Sequence, residues 1–184
     1  MDKDKITTRD VLKVLAIAGI VVASAAMPNL PMALGAVYKQ WKNINRKDLG
    51  RIIKRLEKQE MLDIQEDGDV IRFIITEKGK RRLLEYNFGS LELKTKKRDG
   101  RWRLIIFDIP EDKKKSRDAF SKKLRELGCI RLQDSVYASA FPCKSEIDFL
   151  CHFLDISDFV TLANLNKIER GEELIFKKFI HIDE

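Results

Sequence analysis

Apolar and polar positions along this chain follow two rhythms, and the elements change where the rhythm does. Leu49, Ile52, Ile53 and Leu56 fall at i, i+3, i+4 and i+7, an apolar stripe that predicts a helix over residues 46–59. Asn45 is a suitable N-cap, with Asp48 three residues on. Residues 61–66 and 69–76 are strand-patterned, and Asp67-Gly68 between them predicts a two-residue hairpin turn. Thr76 then predicts the cap of a helix over residues 77–86. Upstream, residues 14–26 are apolar except for Gly19 and Ser24, predicting a buried first helix capped near Thr7 or Thr8. Pro28, Asn29 and Pro31 interrupt it, residues 32–41 suit a second short helix, and residues 42–45 a polar turn.

The second half has a different order. Trp102-Arg103-Leu104-Ile105-Ile106-Phe107-Asp108-Ile109-Pro110 is a short apolar run closed by an Asp and a Pro, which predicts a strand buried on both faces. Pro110 cannot donate to a ladder, so the strand ends and a helix follows over about residues 112–127, with Phe120, Leu124 and Leu127 inward and Gly128 as its stop. Strands follow at 129–133 and 135–141. A helix capped by Ser145 with Asp148 carries Ile147, Leu150, Cys151 and Leu154 inward, and a last strand covers 159–165. This β-α-β-β-α-β order is that of a ferredoxin-like split βαβ fold. The largely apolar tail, 174–182, suits an edge strand in this sheet or a partner's.

Charge sharpens the division. The net charge is +7, yet residues 1–100 hold 21 Lys and Arg against 14 Asp and Glu, while residues 101–184 hold 15 of each. A basic domain joined to a neutral one implies a polyanion binder carrying a second module. Residues 42–58 alone hold seven basic and two acidic side chains. Three helices, a hairpin and a terminal helix make the order of a winged helix-turn-helix domain. The run Lys47-Asp48-Leu49-Gly50-Arg51-Ile52-Ile53-Lys54-Arg55-Leu56, with Ile75-Thr76-Glu77-Lys78-Gly79 later, resembles that family. On this reading Arg46, Lys47, Arg51, Lys54, Arg55 and Lys58 meet double-stranded DNA, in preference to forming a solvated face. Glu66, Asp67 and Asp69 at the hairpin tip repel phosphate, leaving Arg72 as the hairpin's contribution. The polar, basic stretch around residues 94–100, continued by Arg101 and Arg103, reads as a solvated hinge in preference to a phosphate-contacting arm.

Other chemistry is thin. Cys129, Cys143 and Cys151 lack C-x-x-C spacing and fit apolar positions, as reduced packing residues do. With only His152 and His181 beside them, a structural zinc site is not expected. Basic residues before position 14 and Ala23-Ser24-Ala25 mimic a secretory signal. The acidic Asp2, Asp4 and Asp10, and an apolar run of about 13 residues where a spanning helix needs about 20, favour a core helix in a cytoplasmic protein with no membrane contact. Gly-rich phosphate loops, Ser/His/Asp constellations and dinucleotide fingerprints are absent from the sequence, which argues against the common enzyme classes.

Residues 102–111, followed by Leu132-Gln133-Asp134-Ser135-Val136-Tyr137-Ala138-Ser139, resemble the central domain of the PaaX family. These are repressors of bacterial phenylacetate-degradation genes, with an N-terminal winged helix and a middle domain similar to CRISPR-associated Cas-two proteins. The similarity runs from Arg101 to about Leu165 and the domain order agrees; the family's further C-terminal region is expected to be missing. The resemblance implies a homodimeric repressor that needs no cofactor. It also implies an alternative, since the Asp ending the first strand of Cas-two proteins is assigned to Mg²⁺-dependent phosphodiester cleavage, and Asp108 holds that position. Glu111, Asp112 and Asp134 would then be helpers. A further alternative is an adaptor bridging the subunits of a CRISPR integrase. The expected whole is α+β: a winged helix-turn-helix domain at 1–88, a basic linker at 89–100 and a ferredoxin-like dimerisation domain at 101–184.

Overall fold

Thr7 opens the first helix with a reciprocal cap: its N–H donates to the Asp10 carboxylate (2.9 Å), and its hydroxyl accepts the Asp10 N–H (3.3 Å). The computed structural model describes residues 6–18, 20–24, 46–68, 70–173 and 175. The expected second helix at 32–41, the turn at 42–45 with the Asn45 cap, Asp69 at the hairpin tip and the tail beyond 175 lie outside the described residues. The chain divides into two units, 1–89 and 90–184.

In the first unit the expected single helix over 14–26 is two elements. Helix α1 (Thr8–Ala18) stops before Gly19, and strand β1 (Ile20–Ser24) pairs antiparallel with the later strand β3 (Val70–Ile75), from Ile20↔Ile74 to Ser24↔Val70. Three consecutive β-branched residues, Ile20-Val21-Val22, prefer the pleated backbone of a strand. Helix α2 (Arg46–Lys58) buries Leu49, Ile53 and Leu56. It ends in a Schellman closure in which Met61 N–H reaches the Leu56 carbonyl (2.9 Å) and Glu60 N–H the Glu57 carbonyl (2.8 Å), with Glu60 left-handed at φ 58°. Strand β2 (Leu62–Asp67) pairs with β3 from Leu62↔Ile75 to Asp67↔Val70. The hairpin therefore turns one residue later than the expected Asp67-Gly68, with Gly68 at φ 58° as its first turn residue. Helix α3 (Glu77–Gly89) is capped by Thr76, whose hydroxyl accepts the Gly79 N–H (3.1 Å) and donates to the Glu60 carbonyl (2.7 Å). Val11, Leu12, Val14 and Leu15 of α1 pack with the buried face of α2 and with Phe73, Ile75 and Leu83, each contributing roughly 1.5–3 kcal/mol by burial. This core fixes how α2 is held.

The second unit has β4 (Trp102–Phe107), a 3₁₀ turn at Glu111–Lys113, α4 (Lys114–Glu126), β5 (Ile130–Gln133), β6 (Val136–Ser139), α5 (Lys144–Phe153) and β7 (Val160–Leu165). The sheet order is β5-β6-β4-β7 with every pairing antiparallel, the arrangement that the split βαβ reading requires. Phe107 meets Phe120 of α4 edge-on at 5.4 Å and stacks on Tyr137 at 6.0 Å, so alternation turns Arg103, Ile105 and Phe107 toward the helices. Trp102 and Leu104 lie on the other face with Ile130, Ala138 and Ile175. β4 is not buried on both faces throughout: Ile106 on this second face is 39% exposed. Gly128 (φ 79°) ends α4 as expected, with Cys129 N–H bonded to the Leu124 carbonyl (2.9 Å). Ser145 does not cap α5. Cys143 holds the cap position without a side-chain bond, and the Ser145 hydroxyl turns to Glu146 (3.0 Å).

Among the described residues no helix is long and apolar enough to cross a membrane.

Candidate nucleic-acid interface

Because Leu49, Ile53 and Leu56 are buried, the opposite side of α2 is fixed outward. Lys47, Arg51, Lys54 and Lys58 occupy it at i, i+4, i+7 and i+11, and all four are exposed. At about 1.5 Å of rise per residue they form a row about 16 Å long. Arg51 donates to Asp48 at 2.6 Å, a pair in which the guanidinium side chain remains 76% exposed. A solvated ion pair of this kind contributes little, so a phosphate can displace the carboxylate at small cost. The row offers cations, suited to a phosphate backbone, and no nucleophile or general base.

Two of the expected residues stand elsewhere. Arg55 lies to one side of the row and donates to the Thr8 hydroxyl at the start of α1. It borders a cleft of about 380 Å³ that Arg81, Lys78 and Tyr86 also line. Lys78 is paired with Glu60 (2.8 Å), which holds the Glu60 carboxyl below its usual range. Arg72 pairs with Asp67 (3.3 Å) on the hairpin. Arg46 begins α2, but its side chain is outside the described residues.

In the second unit the basic stretch after residue 93 is tied down. Lys94 N–H donates to the carboxylate of Glu146 (3.2 Å), a residue only 3% exposed, and the Lys94 ammonium reaches the Ser145 hydroxyl (3.2 Å). Asp99 forms an ion pair with Arg103, which is 8% exposed and also donates to the Arg101 carbonyl (2.9 Å). The Arg103 guanidinium holds the Asp99 carboxyl far below the ordinary carboxylate range, and Asp99 in turn raises Arg103. The Arg98 guanidinium sits over the Trp102 ring at 5.2 Å. The sequence reading missed Glu146 as an anchor; a lone acidic residue just before the apolar Ile147 was its only trace.

Asp108 is exposed just past β4, and its N–H donates to the Phe159 carbonyl (3.0 Å). Of its expected helpers, Glu111 pairs with Arg117 (2.9 Å), which lowers its pKa, and Asp134 pairs with Arg131. Among the described residues no three His, Cys, Asp or Glu side chains gather as a metal ligand set. All three cysteines are buried and free; burial pushes the Cys143 and Cys151 thiols up to about 11 and Cys129 higher still, so none is poised as a nucleophile.

Residues 95–174 match the family described as the PaaX protein central Cas2-like domain. No curated protein matches the chain.

Proposed function

From a chain whose residues 95–174 match the PaaX central Cas2-like domain, we propose a homodimeric, DNA-binding transcriptional repressor of PaaX type. Its first unit acts as a winged helix-turn-helix domain with α2 as the recognition helix and the β2–β3 hairpin as the wing. The second unit pairs two copies.

The observation that carries this reading is the outward row Lys47, Arg51, Lys54 and Lys58 on a helix whose other side is locked into a core. Such a helix enters a major groove with its cations toward phosphates and base edges. The exposed Glu66 and Asp67 keep the hairpin tip off the backbone, and Arg72, paired with Asp67, contributes little. Arg55 supports α1 rather than reading DNA.

Genome-wide mapping of bound DNA tests the proposal and supplies the operator. Discrete sites upstream of genes are expected, and Lys54→Ala with Lys58→Ala lowers the salt slope of binding by about 0.9 per lost phosphate contact. No enriched sites, or a slope that this pair leaves unchanged, would overturn it.

A further inference from the structure

The stretch from Lys94 to Arg101 carries five basic side chains against one acidic one, Asp99. A flexible hinge of that composition would be an unremarkable solvated segment. This one is fixed. Its backbone is held by the buried Glu146 carboxylate at Lys94, by the Thr95 hydroxyl at the Lys97 N–H (3.1 Å), and by Asp99 at the Arg101 N–H (3.1 Å). Its only carboxylate is consumed by the nearly buried Arg103, and Arg98 is laid over Trp102. What is left facing outward is Lys96, Lys97 and Arg101, all exposed and with no side-chain partner among the described residues.

We propose that Lys96, Lys97 and Arg101 form a second, pre-organised contact to the phosphate backbone of duplex DNA, contributed by the PaaX-type unit itself. The inference rests on the DNA-binding reading above and extends it to the second unit. Ordering a loop on binding costs conformational entropy, and here the backbone part of that cost is already met in the free protein. The residue types are those of point-charge contact: two lysines and one arginine, with no Asn or Gln among them to read a base edge. They therefore add affinity and salt dependence without sequence preference. The arginine-rich cleft on the same unit is a weaker candidate for an anion, because Arg117 pairs with Glu111, Arg131 pairs with Asp134, and Asp118 also lines it.

The test is binding of the full chain to a mixed-sequence duplex of about 30 base pairs over about 50–200 mM salt. Wild type is compared with the triple variant Lys96→Ala, Lys97→Ala, Arg101→Ala and with the α2 pair Lys54→Ala, Lys58→Ala. The triple variant should bind about tenfold or more weakly at the low-salt end, with the slope reduced by about 2.7 per bound chain, and its thermal melt should match wild type because no partner is lost. Its specific-to-nonspecific affinity ratio for a mapped site should be unchanged. If the α2 pair weakens binding while the triple variant leaves affinity and slope as in wild type, the arm is overturned and the recognition helix stands. A wild-type chain that binds no duplex overturns both.

Discussion

Gly79 lies in the first turn of α3 with no room for a side chain: an added Cβ would sit 2.2 Å from the Met61 carbonyl oxygen and 2.8 Å from Ile75 Cγ1. The backbone oxygen cannot swing away, since it accepts the Thr76 N–H (3.2 Å) at the joint between α2 and α3. Gly79→Ala should therefore destabilise the first unit by at least about 1–3 kcal/mol, the usual range for an overpacked site. Gly50, in the interior of α2, meets nothing within 4 Å. Gly50→Ala should stabilise by about 0.5–1 kcal/mol through helix propensity alone. Chemical denaturation of the two variants checks the pair, and equal shifts of one sign would refute the close approach. Nothing in Glu77-Lys78-Gly79-Lys80 distinguishes this glycine from a weak helix residue, because the carbonyl that forbids a side chain comes from Met61. A distant contact also sets Arg55 apart from Arg51. Both are basic positions of one amphipathic helix; the helical period sets Arg55 beside the row, and Thr8, 47 residues earlier, supplies the partner that holds it there.

At the scale of elements, period and punctuation carried most of the reading. The stripe of α2, the caps at Thr7 and Thr76, the stop at Gly128 and the β-α-β-β-α-β order all depend on neighbours within a few residues, which is why they were legible. The misread elements depend on partners far along the chain. A continuous apolar run looks alike as a helix or a strand, so β1 became distinct only through its pairing with β3. The hairpin turn moved by one residue because register is set by the cross-strand pairs as well as by the turn dipeptide. From sequence the basic stretch before β4 looks like a hinge, because the Glu146 that anchors it lies on α5, far from Lys94. That anchoring has a pH signature. Asp99 titrates well below its unfolded value when paired with Arg103. Its contribution is therefore complete above the ordinary Asp range near pH 4, and is lost as pH falls from there through the depressed folded value. Asp99→Asn should lower the melting temperature at neutral pH and accelerate tryptic cleavage after Lys96 and Lys97. The gap to wild type should narrow as pH falls below about 4, because the unfolded carboxyl takes up a proton there while the native one stays ionised down to its depressed value. Melts that coincide at neutral pH would show that the ion pair does not hold the arm.

For the whole molecule, the question is whether one chain carries enough charge to hold a site. If the proposed contacts form, the α2 row neutralises at most about four phosphates, for a salt slope near −3.6, and the three arm cations bring one chain to about −6.3. Two chains on one site would double this, to about −12.6. Closed two-fold pairing is the commonest solution for soluble assemblies, and it imposes its symmetry on the DNA. The dimer proposal thus predicts three linked results: a solution mass twice the 21.4 kDa chain, a two-fold symmetric footprint, and half-sites separated by about 10 base pairs or a multiple of it. Sedimentation equilibrium, footprinting on a mapped operator and a salt titration measure them independently. A 21.4 kDa species protecting one asymmetric site, with a slope no steeper than about −6, would mean that each chain binds alone. The evenly balanced charge of residues 101–184 would then need another explanation than pairing. A dimer whose slope stays near −7 would instead mean that both α2 rows bind while both arms stand clear, so the same titration also separates the two surfaces.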